Sequence, residues 1–108
     1  MRHRTKQARL GESAAQIEGE MRRLELWLEH PPSEQEVLSG GAFGLGTVGF
    51  DTWLQVVFVA RLRQVAAGEF DIPASSSVAS QAVREWDGDP IDRRRLLELV
   101  QQVDELLA

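Results

Sequence analysis

The sequence predicts an all-α fold: a four-helix bundle in one domain, with a glycine-rich loop before its central helix. Three observations lead there. Apolar residues recur at steps of three and four over long stretches. Helix-capping and helix-breaking residues fall between those stretches. No segment reads as a strand. With 108 residues the chain has room for one core.

Residues 1–9, MRHRTKQAR, have no apolar period and read as a flexible basic arm before a helical domain over 10–108. The first helix pattern starts at Leu10 and continues through Ala14, Ile17, Met21, Leu24, Trp27 and Leu28. These positions line one helix face. Gly19 lies inside and costs roughly 1 kcal/mol against alanine. Pro31 and Pro32 end the pattern, which makes His30 its last helical residue. At 1.5 Å per residue this helix is expected to be about 30 Å long.

Ser33 and Glu36 have the spacing of a capping box. They predict a single turn through Val37 and Leu38, stopped by Gly40 and Gly41. Thr52 to Gln55 has the same form and predicts the start of the central helix. Leu54, Val56, Val57, Phe58, Val59, Leu62 and Val65 then cover nearly all its sides, so it is expected to be buried over most of its circumference. It is expected to end near Ala67-Gly68. Ser75, Ser76 and Ser77 offer caps for a third helix carrying Val78, Ala79, Ala82, Val83 and Trp86. Asp89 and Pro90 predict the start of a fourth, faced by Leu96, Leu99, Val100, Val103, Leu106 and Leu107.

Inside GGAFGLGTVGF, Gly44, Gly46 and Gly49 have the spacing of a dinucleotide-binding loop. Such a loop needs a buried strand before the first glycine and a helix after the last. The helix is present, and Glu69 or Asp71 lies about twenty positions on, where a ribose contact is expected. The strand is missing: PPSEQEVLSGG holds one apolar pair. The favoured reading is a loop whose glycines permit close packing, with Phe43, Leu45, Val48 and Phe50 turned inward.

Composition narrows the chemistry. There is no cysteine, so disulfides, thiolate metal sites and cysteine catalysis are excluded. His3 and His30 are the only histidines, too few to suggest a metal site, and no histidine stands near a serine as a catalytic partner. No cofactor, metal or catalytic residue is expected. The net charge of −5 disfavours nonspecific nucleic-acid binding by the whole surface. No apolar run approaches a membrane span, and a cytoplasmic protein is expected.

Two basic clusters could contact RNA: Arg93, Arg94 and Arg95 at the start of the fourth helix, and Arg2, Arg4, Lys6 and Arg9 in the arm. No aromatic residue is interleaved with either. On the central helix, Trp53, Val57 and Arg61 share a face at steps of four, Asp51 lies at its start, and Gln55 is polar among apolar neighbours. Trp53, Gln55, Arg61 and Asp51 are therefore candidates for a partner- or ligand-binding patch. The alternative is structural: Trp53 in the core, Gln55 completing the cap, Arg61 reaching a carboxylate.

The run Phe50 to Leu62, FDTWLQVVFVARL, followed by Ile72-Pro73, resembles the YqcC-like family of small bacterial helical proteins of uncharacterised function. The resemblance spans roughly Leu10 to Leu107. Two departures are visible: Ala60 stands where relatives tend to have proline, and the approach to the central helix is unusually glycine-rich. The resemblance implies a four-helix bundle with no established activity. It also implies proximity to tRNA pseudouridine synthases, beside which members are often encoded, and it marks Trp53, Gln55 and Arg61. The function expected is a non-enzymatic module that binds a protein, such as a tRNA-modifying enzyme, or itself. The alternatives are an RNA-binding accessory and a small-molecule-binding bundle.

Overall fold

The structure is a computed structural model that describes residues 5–39 and 49–108. Among the described residues there are five helices and no strand: α1 (Lys6–Arg23), α2 (Glu34–Ser39), α3 (50–66), α4 (Val78–Glu85) and α5 (Arg94–Leu107). The expected four helices are joined by the short α2. No described helix is long and apolar enough to cross a membrane.

α1 starts four residues before Leu10. Thr5 caps it, its hydroxyl accepting the Ala8 N–H at 3.0 Å. Gln7 ties this first turn to α3 by donating to the Val65 carbonyl at 3.2 Å. Lys6 to Arg9 thus belong to the helix rather than to a flexible arm, and Arg2 and Arg4 lie outside the described residues. Leu10, Ala14, Ile17 and Met21 are buried, as their spacing predicts. They pack against α3 and α5. Gly11 permits a close approach: a Cβ there would lie 3.0 Å from the Ala66 Cβ on α3.

α1 ends at Arg23, well before the expected His30. The chain turns through Glu25, whose φ of 61° is left-handed. The Leu26 N–H reaches the Met21 carbonyl at 2.8 Å, and the Glu25 N–H reaches Arg22 at 3.0 Å. This pair of bonds is a Schellman stop, usually built on glycine. Glutamate hides the signal, and Leu24, Trp27 and Leu28 keep the helical spacing going in sequence. Because an L-residue costs about 1–2 kcal/mol in this conformation, Glu25→Gly is expected to stabilise the fold. The gain, after the added chain entropy of glycine, should be about 0.5–1 kcal/mol by urea denaturation. An unchanged or lower midpoint would contradict this assignment of strain.

The capping box before α2 forms as predicted. Glu36 N–H donates to Ser33 Oγ at 3.1 Å, and Ser33 N–H donates to Glu36 Oε1 at 3.3 Å. α2 packs on the middle of α3.

α3 begins at Phe50 with Gly49 as its cap, at φ 82°, rather than with Thr52. It is α-helical over Phe50–Trp53, π-helical over Leu54–Val59 and α-helical again over Ala60–Ala66. Leu54, Val56, Phe58, Val59, Leu62 and Val65 are buried, as expected of the central helix. The π turn adds a residue between Trp53 and Arg61. Trp53 packs on Phe50 and Phe58, whereas Arg61 reaches Gln64, Glu34 and Phe70.

α4 has Ser77 at its cap position, but the capping oxygen comes from α5. Asp104 accepts from the Val78 and Ala79 N–H groups at 3.1 and 2.8 Å, and from the Ser76 hydroxyl. α5 starts at Arg94, not at Pro90. The Asp89 carboxylate accepts the Ile91 N–H at 2.9 Å and makes a turn instead of a helix start. Leu96, Leu99, Val100, Val103 and Leu107 fill the core.

Candidate functional site

The four candidates around α3 do not form one patch. Each fastens a different segment to α3. Asp51 accepts the Trp86 indole N–H and an Arg93 guanidinium N–H, both at 2.8 Å. It thereby joins the start of α3 to the end of α4 and the start of α5. Gln55 is 6 % exposed and forms a two-bond clamp on the Leu28 backbone, accepting its N–H and donating to its carbonyl, both at 2.9 Å. It does not complete a cap. Trp53 is half-buried and stacks on Phe50 and Phe58, with centroids 5.5 and 6.2 Å away. Arg61 donates to Gln64, lies 3.6 Å from the Glu34 carboxylate and stacks over the Phe70 ring at 4.3 Å.

The RNA candidates fare differently from expectation. Arg93 is 7 % exposed, so it is not a surface cation. Asp51 holds one side. Asp89 lies 2.7 Å from its Nη1, off the N–H direction, and the Trp86 ring lies 5.3 Å from its Cζ. Burial opposes its charge, but the Asp89 and Asp51 carboxylates beside it outweigh this and raise its pKa. It occupies the cap position of α5, where the helix dipole disfavours a cation. The two carboxylates offset that. Arg94 pairs with Asp92 at 2.8 Å, and Arg95 lies 3.7 Å from Glu98. Arg22 and Arg63 share Glu18, and Arg23 pairs with Glu20.

These pairs move the carboxylates. Hydrogen bonds from Arg22 and then Arg63 hold Glu18 below 4.5, and the Arg23 bond does the same for Glu20. The Ile91 N–H, then Arg93, lowers Asp89 below 3.8, and Arg94 takes Asp92 down to about 2. The folded state thus binds fewer protons than the unfolded chain in acid, so stability falls as pH falls. The urea midpoint is expected to stay flat from about pH 7 to about pH 5, then decline towards about pH 2. A midpoint rising into acid would contradict these pairings.

Two open grooves flank α3. One, of about 370 Å³, runs between Phe50, Trp53 and the first turns of α4. The other, of about 410 Å³, lies between the segment after α1 and the middle of α3. Of the exposed large apolar side chains, Leu28 lies in the segment that Gln55 clamps to α3, Leu38 lies in α2, which packs on α3, and Phe70 lies under the Arg61 guanidinium.

Gly44, Gly46, Phe43, Leu45 and Val48 lie outside the described residues. The segment that would have to deliver a strand to a nucleotide loop is α2. Among the described residues no group of three or more His, Cys, Asp or Glu could hold a metal ion. Sequence reasoning missed Asp104, Glu25 and Trp86 as tie points. Their partners lie far along the chain or in backbone geometry.

No solved structure matches the chain. An uncharacterised protein of Haemophilus influenzae is 30 % identical to it over 90 residues, covering 81 % of this chain and 80 % of that protein. The family DUF446, described as tRNA pseudouridine synthase C, matches residues 9–106. With nearly its whole length matched, the chain belongs to the DUF446 family.

Proposed function

We propose that this protein is a non-enzymatic interaction module, a helical adaptor that docks on a tRNA pseudouridine synthase. The observation that carries this reading is the surface beside α3. Exposed Leu28, Leu38 and Phe70 lie in segments fastened to the helix that bears Arg61. Half-exposed arginine beside aromatic and aliphatic side chains is the composition of protein-binding hot spots. The choice of partner rests on the family's description and on the resemblance to YqcC-like proteins.

The RNA-binding alternative has less to work with. Every described arginine except Arg9 and Arg84 lies beside a carboxylate, and so offers phosphates a partly neutralised charge.

The test is affinity capture from native lysate of the source organism, with and without RNase, read by mass spectrometry. Retention of the synthase in both conditions is the expected result. Loss of the synthase on RNase treatment would favour RNA binding. A monomer that retains no synthase in either condition would overturn the adaptor reading.

A further inference from the structure

The chain between α3 and α5 is built unlike the rest of the fold. Every residue from Ala67 to Ser75 is exposed, and so is every residue from Asp87 to Asp92. Among the described residues, Asp71 to Ser75 make no hydrogen bond or ion pair. The bonds of Asp87 to Asp92 stay local. Asp89 N–H reaches Trp86, the Asp89 carboxylate takes the Ile91 N–H and faces Arg93, and Asp92 pairs with Arg94. Gly88, at φ 79°, turns the chain there. Between these two tethers lies Ser76 to Trp86, with α4 inside it.

α4 buries Ala79 and Ala82, which offer one methyl group each, whereas α5 buries Leu96, Leu99, Val100, Val103 and Leu107. What holds α4 is largely polar and sits at its two ends. At the start, the Asp104 carboxylate on α5 accepts from the Ser76 hydroxyl and from the Val78 and Ala79 N–H groups. At the end, the Trp86 indole N–H donates to Asp51 at 2.8 Å, and the ring meets Phe50 edge-on and lies 5.3 Å from the Arg93 Cζ. Asp104 and Arg93 share one face of α5 with Val100 and Leu97, so α4 runs along that stripe. A helix this short does not persist in water without packing, so release from α5 and loss of the helix are one step.

We propose that Ser76 to Trp86 is a hinged strap, latched by Asp104 and Asp51, that opens as one unit while α1, α3 and α5 stay folded, and so uncovers Val100 and Leu97. Segments with little buried apolar surface and exposed flanks are the ones that open below the free energy of global unfolding.

Native-state hydrogen exchange of the full chain, followed by NMR in low urea, reads the opening directly. The Val78 and Ala79 amides, the amides from Ala82 to Trp86 and the Trp86 indole N–H are expected to share one protection factor. It should lie at least about a hundredfold below that of Ile17, Leu62 and Val103, with a weaker dependence on urea. Protection graded from the ends of α4 inward would mean fraying instead of a unit. Protection equal to that of Ile17 would mean that α4 leaves only on global unfolding. Either result overturns the proposal. Asp104→Ala then separates a latch from a local cap. Val83 and Arg84 are not among the groups bonded to Asp104, yet their protection should fall about tenfold or more and stay below that of Ile17. A loss confined to Val78 and Ala79 would overturn the strap. A circular dichroism melt verifies folding of the variant, and Asp104→Asn, which keeps one acceptor, serves with a smaller expected fall if the alanine variant does not fold.

Discussion

Asp51→Ala is expected to destabilise the protein by about 3 kcal/mol, the largest loss of any single polar substitution considered. The reason is what remains behind. Arg93 would stay buried with only Asp89 beside its guanidinium, and the Trp86 indole N–H would lose its acceptor. Removing one member of a buried ion pair costs more than the pair contributes, because the other charge has no water to return to. Asp51 is itself about a quarter exposed, which keeps the expected loss at the lower end for such pairs. Asp51→Asn keeps an acceptor for Trp86 but drops the charge facing Arg93, so an intermediate loss is expected. Urea denaturation of both variants measures this. A loss below about 1 kcal/mol for Asp51→Ala would mean that water or a shifted Asp89 takes over the guanidinium.

Gln55→Leu is expected to cost about 2–3 kcal/mol. The substitution keeps the volume of a buried side chain and removes both bonds to Leu28, leaving an N–H and a carbonyl with no partner. Gln55→Glu separates the two bonds. The ionised carboxylate keeps the acceptor for Leu28 N–H but faces the Leu28 carbonyl without a donor. Once protonated it offers both again. The deficit of Gln55→Glu against wild type, measured at each pH, should therefore shrink as pH falls. A pH-independent deficit would place the cost in packing rather than in the clamp.

The parts of the fold legible in sequence are the local ones. The faces of α1 and α5 follow from three-and-four spacing, and each of their buried leucines was marked by it. Ser33 and Glu36 find each other three residues apart, so their box could be read directly. What stayed hidden depends on partners elsewhere. Asp104 caps α4 from 25 and 26 residues away, Gln55 reaches Leu28 across 27, and Asp51 reaches Arg93 across 42. Arg93, Arg94 and Arg95 looked alike in sequence, yet the first is inside and the others outside. Glu25 stops α1 in a conformation its side chain gives no hint of. The π turn could not be seen because α3 is apolar on nearly every side, and a pattern without a polar face carries no phase.

Leu54–Val59, between Trp53 and Arg61, holds one more residue than an α turn would. The extra residue is absorbed in place, with the helix continuous on both sides. Deleting one residue there would restore an unbroken α ladder and leave the flanking α segments in phase, because the π turn already takes up the extra residue. The Asp51 junction before the turn and Arg61 beyond it would then keep their present sides of the helix. A one-residue deletion between Leu54 and Val59 is therefore expected to be tolerated better than one in the α segments on either side, which would turn every contact beyond it by about 100°.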